Sequence, residues 1–157
     1  MAQTHSGADV AQLRRQLQDL LDRNAIVDLI SRLGLMLDDK RFDDIGSIYA
    51  DDVVAIFGFA AGARIEGVEA LAERGRKSQG RFARAHHVFT DHVIDLRGDQ
   101  AIVRANLIGI HVHRAEDPAS HFDMGERYTF EMIRKPEGWR IAKVITTPVW
   151  TAGPPPA

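Results

Sequence analysis

The sequence predicts an α+β domain in which N-terminal helices lie on one face of a curved antiparallel sheet. Three observations carry that prediction. Between Ala8 and Asp38 the apolar residues recur at helical spacing: Val10, Leu13, Leu17, Leu20 and Leu21, then Ile26, Leu29, Ile30, Leu33, Met36 and Leu37. Beyond Ser78 the pattern changes to β-rich runs divided by the turn signals "RGDQ" and "PEG". Helical and strand patterns are segregated along the chain rather than alternating, which favours α+β over a βαβ arrangement.

The elements follow in order. The first helix covers Ala8 to Asp38, with the polar stretch Asp22 to Asn24 as a candidate break. "DDKRFDDIGSIYADD" reads as a turn and a short second helix carrying Phe42, Ile45, Ile48 and Tyr49. "VVAIFGF" (Val53 to Phe59) is a β-rich run, and "GVEALAERGRKS" (Gly67 to Ser78) a third helix. His87 to Leu96 and Ala101 to His113 are two strands around "RGDQ", and "HFDMGERYTFEMIRK" and "GWRIAKVITTPVW" form a last hairpin. Helices on one face of such a sheet leave a conical pocket open at one end. Residues 1–7 read as a disordered N-terminus, 8–150 as one domain, and 151–157 ("TAGPPPA") as a Pro-rich tail that continues neither strand nor helix.

Composition excludes several functions. A chain of 157 residues fits one domain, and a net charge of −2 with pI ≈ 6.4 argues against a nucleic-acid partner. The absence of cysteine removes disulfides, thiolate nucleophiles and cysteine-bound zinc. No apolar run approaches the ~18 residues of a membrane span, and the first residues lack the pattern of a secretion signal. A cytoplasmic protein that binds no membrane is expected. There is no Gly-x-Ser-x-Gly elbow, and "GARIEGVEALAERG" lacks dinucleotide-binding spacing. No cofactor is expected.

Chemistry concentrates in "RAHHVFTDHVIDLRGDQAIVRANLIGIHVH", Arg84 to His113, which holds five of the seven histidines. Neighbours in a strand point oppositely, so one of His86 and His87 faces inward, and His87 is the choice. His111 and His113 share a face, and His111 is taken as the deeper; His113 and His121 are assigned to the rim or loops, and His92 to a surface or interface. Asn106 alternates with the His111 set and belongs to the other face. Tyr128 is a candidate hydroxyl donor, and Glu126 shares its parity. Trp139 reads as core. "HVH" with Glu116 or Asp117 makes a competing two-histidine-one-carboxylate metal site, but His-x-His is a short pattern, and no metal is the preferred reading. Asp38 lies in the acidic run "LDDKRFDD": it either solvates a helix end or serves as the carboxylate of a proton-transfer pair.

Three stretches carry a resemblance to a known family: "AIVDLISRLGLMLDDKRFDDIGSIYADDV", "HHVFTDHVIDLRGDQA" and "GERYTFEMIRKPEGWRIAKV". Together they make the chain similar to the nuclear-transport-factor-2-like (NTF2-like) superfamily, in its SnoaL-like branch, over nearly its whole length. The resemblance implies a cone-shaped, cystatin-like α+β barrel. The catalytic pattern resembles that of scytalone dehydratase and γ-hexachlorocyclohexane dehydrochlorinase, which use an aspartate ending the first long helix and a histidine opening the following long strand. Those roles fall on Asp38 and His87, and a further pocket histidine on His111. Leu37 and Phe57 stand where scytalone dehydratase carries tyrosines that position water, and Leu33 where relatives often carry another, which argues against a scytalone-type substrate.

The expectation is a cofactor-free lyase or isomerase. An Asp38–His87 dyad abstracts a proton, and His111 and Tyr128 bind or protonate the leaving oxygen or carbonyl. The pocket lining is assigned to Leu33, Leu37, Phe57, Phe59, Phe89, Val103, Leu107 and Phe130, with Trp150 at its mouth or in a subunit contact, for a small hydrophobic, aromatic or polycyclic substrate. The alternative is a non-catalytic binding or assembly module on the same scaffold. An epoxide-hydrolase-type site would need an Asp–Arg–Asp cluster, and Arg84, Arg104 and Arg127 suggest none. A homodimer or homotrimer is expected, because the outer sheet face must be covered at Val93, Ile102, Ile108 and Ile110.

Overall fold

The computed structural model describes residues 7–60 and 62–155. In order they form α1 (Gly7–Asp38), a 3-10 turn (Phe42–Ser47), β1 (Tyr49–Phe57), a second 3-10 turn (Gly58–Ala60), β2 (Ala63–Glu66), α2 (Val68–Gln79), β3 (Arg84–Arg97), β4 (Gln100–Arg114), β5 (Asp117–Lys135) and β6 (Gly138–Ala152). The α+β class and the helices gathered before the long strands are as the patterning predicts. Of the N-terminal residues expected to be disordered, Gly7 begins α1 and the rest lie outside the described residues.

Six strands make one open sheet in the order β2-β1-β6-β5-β4-β3, so the cone is not a closed barrel. Nor is it wholly antiparallel, because β1 pairs with β6 in parallel. The long excursion through α2 and β3–β5 separates those two strands, so no hairpin dictates their direction. The short β2, which the sequence did not announce, pairs antiparallel with β1 from Val54↔Glu66 to Phe57↔Ala63.

Three further expectations are corrected. Helix α1 runs unbroken through Asp22, because that carboxylate accepts two hydrogen bonds from Arg134 at 2.6 Å and one from Trp139 Nε1–H at 3.2 Å. The short second helix is a 3-10 turn of six residues, closed by Ser47 Oγ donating to the Asp44 carbonyl at 2.7 Å. Strand β6 extends into the Pro-rich tail: Thr151 and Ala152 pair with Met124 and Asp123 before Gly153 turns away at φ +80°. Pro148, which cannot donate to a ladder, sits beside a register shift at Gly125/Glu126.

Bulges curve the sheet and set its parity. On β3 the register shifts between Thr90 and Val93, where Asp91 takes φ +57°. Asp91 Oδ2 accepts from Asn106 Nδ2 at 2.8 Å and from Thr90 Oγ at 3.2 Å, so Asn106 is on the outer face, as alternation requires. The extra residue lets His87 and Phe89, then Ile94 and Leu96, face the helix side. The core lies between one stripe of α1 (Ile26, Leu29, Ile30, Leu33) and inward residues of β4–β6 (Val103, Phe130, Met132, Ile141, Val144), all essentially buried. On the outer face Val93, Ile102 and Ile108 are 54%, 41% and 44% exposed, and Ile110 is half-buried. Among the described residues no helix is long and apolar enough to cross a membrane.

Candidate active site

The site begins where α1 stops. Lys40 adopts φ +55°; its N–H donates to the Leu37 carbonyl and that of Arg41 to Met36, the paired bonds of a Schellman terminus. A lysine held in the left-handed region is unusual, and its ammonium anchors it by donating to the Phe82 carbonyl. This ending leaves Asp38 as the last helical residue, with no basic side chain in the last turn. A carboxylate there opposes the helix dipole, at a cost of about 0.3–1 kcal/mol, so its position needs another explanation than capping.

His87 supplies it. Asp38 Oδ1 accepts from the backbone N–H of His87 at 2.8 Å and from its ring Nδ1–H at 2.8 Å. The His87 side chain is 4% exposed and that of Asp38 16%. With Nδ1–H donated to the carboxylate, Nε2 keeps its lone pair, and the ring lines a cavity. His86, 68% exposed, approaches Asp38 Oδ2 from outside at 3.4 Å. Of the two adjacent histidines, His87 is the inward one.

His111 lies edge-on to His87, ring centroids 5.0 Å apart at 85°. Burial first, then the neighbouring His87, pushes its imidazole down to about 4, so it is neutral at pH 7. Its Nδ1–H donates to the Phe122 carbonyl at 3.2 Å, which makes Nε2 an acceptor; the Gln79 amide nitrogen stands 3.4 Å from it. Neutral in this tautomer, His111 presents a lone pair to the cavity rather than a proton, against the donor role expected for it.

The cavity, about 300 Å³, is lined by Leu37, Phe57, Phe59, Leu107, His87, His111 and Tyr128 among the expected residues. Its remaining lining comes from α2 and the loop after it (Leu71, Arg74, Gly75, Ser78, Gln79, Arg81, Phe82) and from β5 (Phe122, Met124, Glu126). The β5 set was readable from its period of two with Tyr128; the α2 set was not, because nothing in the sequence says which face of that helix covers the cone. Four expected lining residues lie elsewhere. Val103 and Phe130 are fully buried in the core, and Leu33 lines only a smaller internal void of about 70 Å³. Phe89 packs edge-to-face on Tyr128 at 5.2 Å. Trp150, expected at the mouth, is 44% exposed and lies over Gly125. Hollows of similar volume around Arg41/Asp44 and Asp22/Arg134 are lined by charged groups already paired with each other.

On the wall formed by β5 and β6, Glu126 is buried and accepts from the Tyr128 hydroxyl at 3.3 Å, with Thr146 also bonded to it. Burial raises its carboxyl more than these hydrogen bonds and His87 lower it. Burial likewise holds the Tyr128 phenol protonated. At the mouth, the Arg74 guanidinium stacks 4.5 Å above the Phe57 ring.

The competing metal arrangement does not form. His113 Nε2 instead meets the Pro154 carbonyl at 3.0 Å, Asp117 pairs with Arg114, and among the described residues no group of three or more His, Asp or Glu side chains is arranged to hold a metal ion.

Gly109 holds the two imidazoles in place. A Cβ there would lie 2.9 Å from His111 Cε1, 3.3 Å from Met124 Cγ and 3.6 Å from His87 Cδ2. Gly109→Ala is therefore expected to displace His111 and to cost about 1–3 kcal/mol through overpacking. Chemical denaturation would check the stability, and the histidine ring resonances the displacement; unchanged values of both would refute the close fit.

The SnoaL-like domain model matches residues 18–145 of the chain. A Kribbella flavida protein of known structure is 26% identical, with a TM-score of 0.79 over 85% of this chain and 95% of that one. An NTF2-like protein with a cystatin-like fold from Novosphingobium aromaticivorans is 17% identical, with a TM-score of 0.76 over 94% and 92%. The type 3 hexachlorocyclohexane dehydrochlorinase of Novosphingobium barchaimii is 20% identical, with a TM-score of 0.73 over 87% and 92%. A search of curated proteins finds no match.

Proposed function

Because the chain belongs to the SnoaL-like domain family, whose NTF2-like, cystatin-like fold it has, we propose that it is a cofactor-independent lyase of the dehydratase type acting on a small hydrophobic, aromatic or polycyclic molecule. The observation that carries the reading is the 2.8 Å hydrogen bond from His87 Nδ1–H to Asp38, at the wall of a largely apolar cavity. His87 Nε2 removes a proton from carbon next to a carbonyl. Asp38 holds the tautomer and stabilises the imidazolium. The C–H electron pair becomes the new double bond as the leaving group departs. A fold likeness to a dehydrochlorinase supports elimination as the reaction class.

The test uses a β-hydroxy-β-phenyl ketone and its β-chloro counterpart, followed by the absorbance of the conjugated enone. Enone formation well above the buffer rate is expected. Tight binding of either compound without conversion would favour a binding module instead.

Assembly as a homodimer or homotrimer through the outer sheet face belongs to the same proposal, since the exposed Val93, Ile102 and Ile108 form an apolar strip there. Ile108→Lys is expected to shift the mass measured by light scattering toward the monomer; an oligomer of unchanged mass would mean that another surface joins the subunits.

A further inference from the structure

Elimination of water needs two proton transfers: one off carbon, and one onto the leaving hydroxyl. His87 accounts for the first. Most groups facing the cavity are unsuited to the second. His111 on β4 presents the lone pair of Nε2, its only proton being held by the Phe122 carbonyl. The Tyr128 hydroxyl is turned onto Glu126 Oε2. Arg74 and Arg81, from α2 and the loop after it, are too basic to release a proton at neutral pH. Gln79 and Ser78 on α2, and Thr146 on β6, are not acids in this range. Glu126 remains: a carboxyl 6% exposed, lining the same cavity as His87, with Tyr128 and Thr146 fixing its orientation.

We propose that Glu126 is the catalytic acid that protonates the leaving oxygen while His87 takes the carbon-bound proton, an assignment that rests on the lyase reading above. The C–H bond breaks toward His87 Nε2 and its electron pair forms the C=C bond. The C–O bond breaks, the oxygen takes the Glu126 proton, and water leaves. The imidazolium and the carboxylate that remain differ from the starting pair only in where one proton sits; it passes from His87 to Glu126 and completes the cycle. A carboxyl desolvated in this way keeps its proton to higher pH than an exposed glutamate, in the manner of environment-tuned carboxylic acids.

Glu126→Gln keeps the size and hydrogen-bonding capacity of the side chain but has no proton to transfer. On the β-hydroxy ketone its kcat is expected to fall by about 10²-fold or more, and the alkaline limb of the pH–rate profile, which reports loss of the Glu126 proton, disappears. On the β-chloro ketone the loss is expected to be at least about tenfold smaller, because chloride departs unprotonated. Glu126→Asp retains a carboxyl and is expected to recover part of the lost rate and the alkaline limb. Equal losses on both substrates would assign Glu126 a positioning role and overturn the proposal, as would no loss on either. His87→Ala separates the two levels of inference: it slows both reactions by about 10²-fold or more if the lyase reading holds, whatever Glu126 does, while a wild-type protein inert toward both ketones removes the lyase reading and this assignment with it.

Discussion

His87→Ala is expected to lower turnover by about 10²–10⁴-fold, the usual contribution of a general base, while the folded protein persists. The imidazole is buried among His111, Gly109 and the end of α1, but its backbone N–H still reaches Asp38 after truncation. The loss should therefore fall on kcat more than on the fold. Asp38→Asn tests the other half of the pair. Its amide oxygen can still accept both the backbone and the ring N–H of His87, so the geometry has a way to survive. What it loses is the negative charge that stabilises the imidazolium formed when the base takes its proton. The introduced amide can also turn its NH₂ toward the ring and select the wrong tautomer. A fall in kcat comparable to that of His87→Ala is expected, with near-normal binding of an unreactive analogue. If both variants turn over at the wild-type rate, the pair is structural. If Asp38→Asn alone is silent, the Asp38 side chain serves only to hold the β3 backbone at His87, and the imidazole acts without its charge.

Much of this arrangement was legible in the sequence, for identifiable reasons. The α1 stripe from Ile26 to Met36 and the alternation along β4 are local periodicities, and each maps onto the core face. Strand parity allowed only one of His86 and His87 to face inward and placed Asn106 outside; His87 is the buried one of the two, and Asn106 lies on the outer face. Parity did not tell depth. Val103 and Phe130 share the inward face with Leu107 and Tyr128, yet they lie under α1 rather than in the open end of the cone, and nothing local distinguishes the two zones. The α2 wall of the cavity was equally hidden, because the buried Leu71 and Ala72 mark the helix's inner side but not which part of the cone that side covers. The tautomer of His111 depends on a carbonyl of the neighbouring strand, at Phe122, which only pairing of β4 with β5 brings near. The unbroken course of α1 was misread for the same kind of reason. Asp22 is a polar residue in a helical run, and the partner that accommodates it lies 112 residues away.

That partner makes Asp22→Ala the substitution with the largest expected effect on stability. Asp22 is 4% exposed, and its two oxygens receive a fork of hydrogen bonds from Arg134 at 2.6 Å, another from Trp139 Nε1–H at 3.2 Å and one from Gln18 at 3.2 Å. The contact ties α1 to the β5–β6 hairpin from the side opposite the dyad's end of the helix. Removing the carboxylate leaves the indole N–H and the guanidinium short of an acceptor. Breaking a buried pair typically costs about 3–5 kcal/mol. The lower end applies here, because Arg134 is 30% exposed and still holds Asp99 at 2.7 Å. For a chain of this length about 3 kcal/mol corresponds to a fall of roughly 6–12 °C in Tm. Hydrogen bonds from Arg134, outweighing the effect of burial, hold the Asp22 carboxyl below the usual carboxylate value of 3.8. A group whose folded value is depressed contributes stability that is present above the unfolded value and is lost as pH falls through the folded one. Wild type should therefore lose stability on acidification below about pH 4 more steeply than Asp22→Asn, which carries no such proton linkage. Denaturant unfolding at neutral and acid pH measures both slopes. Parallel slopes would mean that the fork contributes no more than an exposed surface pair, and the double variant Asp22→Leu/Arg134→Met, which strands neither charge, would then match the wild type at both pH values.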